Sequence, residues 1–332
     1  VVDYNLSHAI AKSNSRAFKK TLLIGSIALN LGLLFYFKYT DFFIQMMNDW
    51  GNGNYELLHL ALPVGISFYT FLSLSYTLDV HRGHIQVQKS FLNFMVYVTM
   101  FPHLVAGPIV RYSEIQDTIN ERKTSWAMAW SGINRFCLGL FKKVVIANTA
   151  SILVEKYLDV QFLNLSSPEA WFGITLFSIQ IYFDFSGYSD MAIGLGRIFG
   201  FNFLENFRHP YAATSVGDFY KRWHMSLGRF FRDYVYIPLG GNRKFQLRNV
   251  FIVWLLTGFW HGASWNFVLW GAFFGCCMIF EKLLDRYLKV TPRIFKHSYT
   301  LILIIFSRAI FYYVDFDKLK TFVKTLFYSE YP

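Results

Sequence analysis

The sequence predicts an all-α, polytopic membrane protein. Three observations carry that prediction: the composition, the blocks into which apolar residues fall, and the placement of the bases. Of 332 residues, 54% are hydrophobic, 20% aromatic and 16% charged. Soluble domains carry about 25% charged residues, so this chain cannot cover a soluble surface at ordinary charge density. Apolar residues run on without alternation: 21–37, 57–77 and 251–260 hold no acid, lysine or arginine. A bilayer span needs about 20 such residues. Tyr and Phe are abundant and Trp falls near segment ends, which suits interfacial belts.

Taken in order, the apolar runs predict spans at 21–39, 57–79, 90–107, 131–155, 170–198 and 298–314, with 247–281 a further pair or one long helix. Lys12, Arg16, Lys19 and Lys20 place the segment before the first span in the cytoplasm. The loop 40–56 carries Asp41, Asp49 and Glu56 without a base and is expected outside. His81 to Lys89 then lie inside and 156–169 outside. Arg111 to Lys123 fall on the same side as Arg82 and Lys89, so 90–107 enters and returns. Pro102 and the Gly107-Pro108 pair are breakers that permit this, a full crossing being the alternative.

The net charge of +11 sits in short loops between apolar segments. Such loops fix orientation and meet anionic lipid headgroups, so membrane lipids are the expected counter-charge and nucleic acid is not a partner. Cys137, Cys276 and Cys277 all lie in apolar segments and imply neither a disulfide framework nor a thiolate metal site. His81 and His84 lack an evident third ligand, and no metal is expected. There is no internal repeat or linker, so residues 1–332 read as one membrane domain, trimmed at both ends.

The stretch 200–247 is expected on the cytoplasmic side. It interleaves Arg208, Lys221, Arg222, Arg229, Arg232, Arg243 and Lys244 with Phe219, Tyr220, Trp223, Phe230, Phe231, Tyr234 and Tyr236. That pattern suggests helices in the headgroup plane. A lipid-facing anchor with no other task explains it equally well.

Ionisable residues at membrane depth are costly and usually functional. His261 lies 13 residues beyond Arg248, about 20 Å of helix at 1.5 Å per residue, inside a hydrocarbon layer about 30 Å thick. Gly258 and Gly262 leave room for a backbone or ligand. A neutral imidazole there can act as a general base, or it can be a packing histidine bonded between helices. His224, in Lys221-Arg222-Trp223-His224, is a second candidate, with an interfacial histidine as the alternative. Asp184 and Asp190 interrupt an apolar run beside Ser186, Tyr188 and Ser189. They can bind a cation, orient a histidine or pair with Arg; a helix break satisfied by these side chains is as good a reading.

Six stretches together resemble the membrane-bound O-acyltransferase superfamily, in particular the bacterial branch of alginate O-acetylation and teichoic acid D-alanylation. They are Phe101–Arg111, Phe183–Gly194, Glu205–Tyr211 (with Asn206 and Arg208), Asp218–Leu227, Tyr236–Gly241 and Thr257–Trp265, in family order. The resemblance implies a ring of helices around a central tunnel with re-entrant helices inside. It assigns catalysis to His261 of the Trp260-His261-Gly262 motif and a second functional role to His224 of Arg222-Trp223-His224, with Asp184, Ser186, Asp190, Asn206 and Arg208 supporting them along the tunnel. It further implies a multi-pass protein of the bacterial inner membrane that binds no cofactor. The implied substrate is an acyl thioester, acetyl-CoA or a charged acyl carrier protein, arriving from the cytoplasm. The acyl group, most simply acetyl, reaches a hydroxyl on the outer side, through a periplasmic or extracellular partner acyltransferase and finally a polysaccharide. A transporter or flippase shares the spans and buried acids but predicts inverted repeats, which are absent here. A non-catalytic scaffold of an export complex is the third reading.

Overall fold

The computed structural model describes residues 1–51, 53–104, 107–284 and 290–328. Helices dominate and no strand occurs among the described residues. The chain forms two compact units, 1–136 with 192–204, and 137–191 with 205–332.

In the first unit, α1 (Val2–Lys12) packs on α2 (Arg16–Gly51) and α3 (Ile66–Arg82), followed by α4 (Phe91–Thr99), a single turn Phe101–Leu104 and α5 (Tyr112–Asn120). The buried Asp3 carboxylate of α1 accepts from Ser26 Oγ at 2.6 Å and Asn30 Nδ2 at 2.9 Å, so its charge is met by donors of α2. At 36 residues, α2 is about 54 Å long and exceeds the expected 21–39 at both ends. The span expected at 57–79 is corrected: helix starts only at Ile66, because Pro63 and Gly65 (φ 76°) break the backbone ahead of it. The stretch 90–107 holds the nine-residue α4, about 13 Å long and too short to cross; residues 105–106 of that stretch, and of the Phe101–Arg111 motif, lie outside the described residues. Tyr112 meets Tyr76 and Tyr97 edge to face, with Gln88 Nε2 donating to Tyr112 Oη at 2.7 Å.

Two long helices, α6 (Trp126–Val160) and α7 (Ser167–Ile198), contribute residues to each unit. Within α6, Lys142–Ala147 and Lys156–Val160 are wound as π-turns, which are rare and concentrate at functional sites.

The second unit continues with α8 (Val216–Tyr220), α9 (Met225–Phe231), α10 (Gln246–His261), α11 (Trp265–Leu283), α12 (Arg293–Tyr312) and α13 (Phe316–Phe327). Residues 247–281 are therefore two helices, turned at Gly262 and Ser264. A Cβ on Gly258 would stand 2.2 Å from Phe267 O, and one on Gly271 2.5 Å from Trp254 O, so the α10–α11 crossing requires both glycines. The Glu281 carboxylate of α11 accepts from Val216 N at 2.5 Å and Gly217 N at 3.0 Å, capping α8 and fixing where 216–224 sits.

Among the described residues, four helices are long and apolar enough to cross a membrane: α2, α6, α11 and α12. Large apolar side chains such as Ile24, Leu33, Val144, Leu269 and Ile302 are exposed on them, a surface suited to lipid. The fold is an all-α, multi-pass membrane fold. The interleaved aromatics of 200–247 correct the lipid-anchor reading: Phe219, Trp223, Phe230 and Phe231 are buried, while Lys221, Arg232, Arg243 and Lys244 are exposed.

Candidate active site

Asn206 organises the site. Its backbone carbonyl accepts from Met225 N at 2.9 Å. Its side-chain Oδ1 accepts from Ser226 N at 3.1 Å and Ser226 Oγ at 2.9 Å, and its Nδ2 donates to Ser189 Oγ of α7 at 3.2 Å. These bonds hold the turn before α9, where His224 adopts φ 45° and ψ 54°. A non-glycine residue in that left-handed region costs roughly 1–3 kcal/mol and persists only where its surroundings impose it.

The same Asn206 Oδ1 lies 3.2 Å from His224 Nδ1. A backbone N–H can only donate, so the atom facing Ser226 N is an oxygen, and Nδ1 must carry the proton that faces it. The lone pair of the neutral ring is thereby placed on Nε2. That atom is buried and has no hydrogen-bond partner. Burial first, and the nearby His261 second, push the His224 imidazole well below its ordinary range, so it is neutral at pH 7.

His261 reaches the same cluster from the last turn of α10. Its ring centroid is 5.0 Å from Trp260, 5.1 Å from Trp270 of α11 and 5.5 Å from Phe311 of α12. His224 packs 4.7 Å from Phe185 of α7 and 6.2 Å from Trp260. Trp260 thus contacts both imidazoles, and the two histidines, 37 positions apart in the chain, share one aromatic cluster.

The remaining sequence candidates distribute as follows. Trp223 is buried and stacks on Phe219 at 5.5 Å. Arg222 Nε bonds Asp218 at 2.9 Å, and Arg208 is exposed, its backbone N–H donating to Arg222 O. Ser186 is buried, its Oγ without a partner. The helix-break reading of Phe183–Asp190 is corrected, because α7 runs unbroken through it. Asp190 pairs with Lys142 at 2.6 Å and Asp184 with Lys143, both lysines belonging to a π-turn of α6. The expected room at Gly262 is taken by Phe267, whose ring would lie 2.2 Å from an added Cβ. Sequence reasoning missed Lys142, Lys143, Trp270 and Arg308, and read Tyr220 only as one of the interfacial aromatics. A lone arginine in the apolar run 298–314 was the available signal for Arg308.

Residues 28–316 match the membrane-bound O-acyltransferase family. The chain belongs to that family. Relatives within reach include a probable alginate O-acetylase of Pseudomonas putida, 41% identical over 303 residues, covering 88% of this chain and 61% of that protein. A peptidoglycan O-acetyltransferase of Helicobacter pylori is 37% identical over 308 residues, 84% of this chain and 58% of that protein. A teichoic acid D-alanyltransferase of Bacillus subtilis is 26% identical over 246 residues, 68% of this chain and 61% of that protein. The chain spans somewhat more than half the length of these acyltransferase relatives.

Proposed function

We propose that this protein moves an acetyl group from a cytoplasmic thioester, acetyl-CoA or a charged acyl carrier protein, to a hydroxyl presented on the outer side of the bacterial inner membrane, for O-acetylation of an exported polysaccharide. The observation that carries this reading is the pairing of His261 with a neutral, orientation-fixed His224 whose Nε2 lone pair has no protein partner. The names of the acetylating relatives support the acetyl group, and their higher identity favours it over D-alanine.

His261 accepts the proton of the attacking hydroxyl as its oxygen bonds to the thioester carbonyl carbon. His224 stays neutral beside it, because two imidazoles this close disfavour a second proton. Its Nε2 can accept a hydrogen bond from a substrate donor and so orient the incoming group. The tetrahedral intermediate collapses with cleavage of the C–S bond, and the departing thiolate takes the proton from His261. The exposed Lys221, Arg232, Arg243 and Lys244 offer positive charge to an anionic donor. The polysaccharide is reached through an extracytoplasmic partner.

Gene deletion and complementation in the native host test this directly. Ester content of the exported polysaccharide should vanish on deletion and return with the wild-type gene. Unchanged ester content in the deletion strain would contradict the function.

A further inference from the structure

Arg308 is the one charged residue of the run 298–314 in α12, a helix long and apolar enough to cross a membrane. It is 2% exposed. Among the described residues no carboxylate pairs with it, and its Nε and Nη2 are buried without hydrogen-bond partners. A charge at that depth is expensive and is kept for a task. Its guanidinium carbon lies 4.6 Å from the centroid of the Trp223 ring, the residue before His224. Phe311, three residues on and so on the same face of α12, packs against His261. One face of this helix therefore meets His261 and the neighbour of His224.

Tyr220 supplies a second donor. Its Oη is buried without a partner, and it lies within the field of Arg308. Its ring is 6.2 Å from that of Trp270, the indole against His261, and Trp270 Nε1 is likewise buried and unpartnered. Unpaired buried donors cost free energy unless a ligand takes them up. A cation–π clamp on Trp223 would explain where Arg308 sits but not its unpaired N–H groups. Tyr211 bonds the guanidinium, but Arg308 Nε and Nη2, Tyr220 Oη and Trp270 Nε1 have no acceptor, which is the complement of a negatively charged oxygen.

We infer that Arg308 and Tyr220 form an oxyanion-holding subsite beside the two histidines, its ligand being the carbonyl oxygen of the thioester under attack. The inference rests on the acyl-transfer reading above. As the acceptor oxygen bonds to the carbonyl carbon, the C=O π pair moves onto oxygen and the hydroxyl proton passes to His261. Arg308 and Tyr220 donate to the resulting O⁻. When the carbonyl re-forms, the C–S bond breaks and the thiolate takes the proton, so one thioester and one alcohol give one ester and one thiol.

The test uses the full-length protein in membrane vesicles from a host making the polymer, with radiolabelled acetyl-CoA and acetylated acyl carrier protein supplied in turn. Label entering polymer is followed against donor concentration. Arg308→Gln should lower apparent kcat by about 100-fold or more with donor KM within about threefold, since an interaction made only in the transition state leaves KM alone. Arg308→Lys should recover part of the loss. Tyr220→Phe, which keeps the ring, should lower kcat by about 100-fold. Near-wild-type kcat in R308Q would overturn the assignment. If R308Q does not accumulate, near-wild-type kcat in Y220F overturns it instead. Absence of transfer by the wild-type protein with either donor would count against the acyl-transfer reading itself.

Discussion

Asn206 Oδ1 faces His224 Nδ1 at 3.2 Å while also accepting from Ser226 N, so one amide oxygen sets both the backbone turn and the tautomer of the imidazole. This geometry turns a left-handed residue, ordinarily a strain, into an aimed lone pair.

Replacing Asn206 should therefore act through His224. Asn206→Asp puts a carboxylate against Nδ1, which favours the imidazolium and raises the pKa of His224. The acid limb of the pH profile for kcat/KM should move to higher pH. Asn206→Ala should lower turnover by about 10-fold or more, as loss of an orienting partner commonly does. An unmoved acid limb in N206D would mean that His224 does not take part.

His224 also predicts how stability responds to pH. Its folded pKa is depressed well below the ordinary 6.5, so between those values the unfolded chain holds a proton that the folded one lacks. Stability is full above about pH 6.5 and falls by about 1.4 kcal/mol per unit as pH drops toward the folded value. Thermal unfolding in detergent between pH 7.5 and 5 should show Tm falling on acidification, and His224→Gln should flatten that fall.

The α10–α11 crossing gives a packing prediction. Gly258→Ala forces a Cβ to within 2.2 Å of Phe267 O, whereas a Cβ on Gly25 meets nothing within 4 Å. G258A should reduce accumulation in the membrane and lower Tm, and G25A should do neither. Equal behaviour of the two variants would refute the close crossing.

The ion pair between Lys142 and Asp190 predicts non-additivity. Asp190 is 4% exposed, and breaking a buried pair by removing one partner costs about 3–5 kcal/mol. Lys142→Met alone should impair accumulation, while Lys142→Met with Asp190→Asn should recover most of it. A double variant as poor as the single would sink the pairing.

Much of this was legible in sequence because bilayer physics writes itself in composition. The long apolar runs of α2, α6, α11 and α12 marked the helices that can cross, and His261 was marked by its isolation in apolar sequence. What was hidden depends on side-chain direction. Asp184 and Asp190 were open to a cation, a histidine, an Arg or a helix break, and two consecutive lysines on a π-turn of α6 reach them instead. The break at Pro63 and Gly65 was on the page, and hydropathy outweighed it in the reading of 57–79. Trp223 and Phe219 looked interfacial because composition cannot say which way an aromatic side chain points.

The central claim is that His261 performs the proton transfer at the reacting centre. The direct measurement pairs polysaccharide ester content with membrane protein level in cells carrying His261→Ala. We predict normal insertion and accumulation with acetylation abolished. Wild-type ester content at normal protein level would contradict the account.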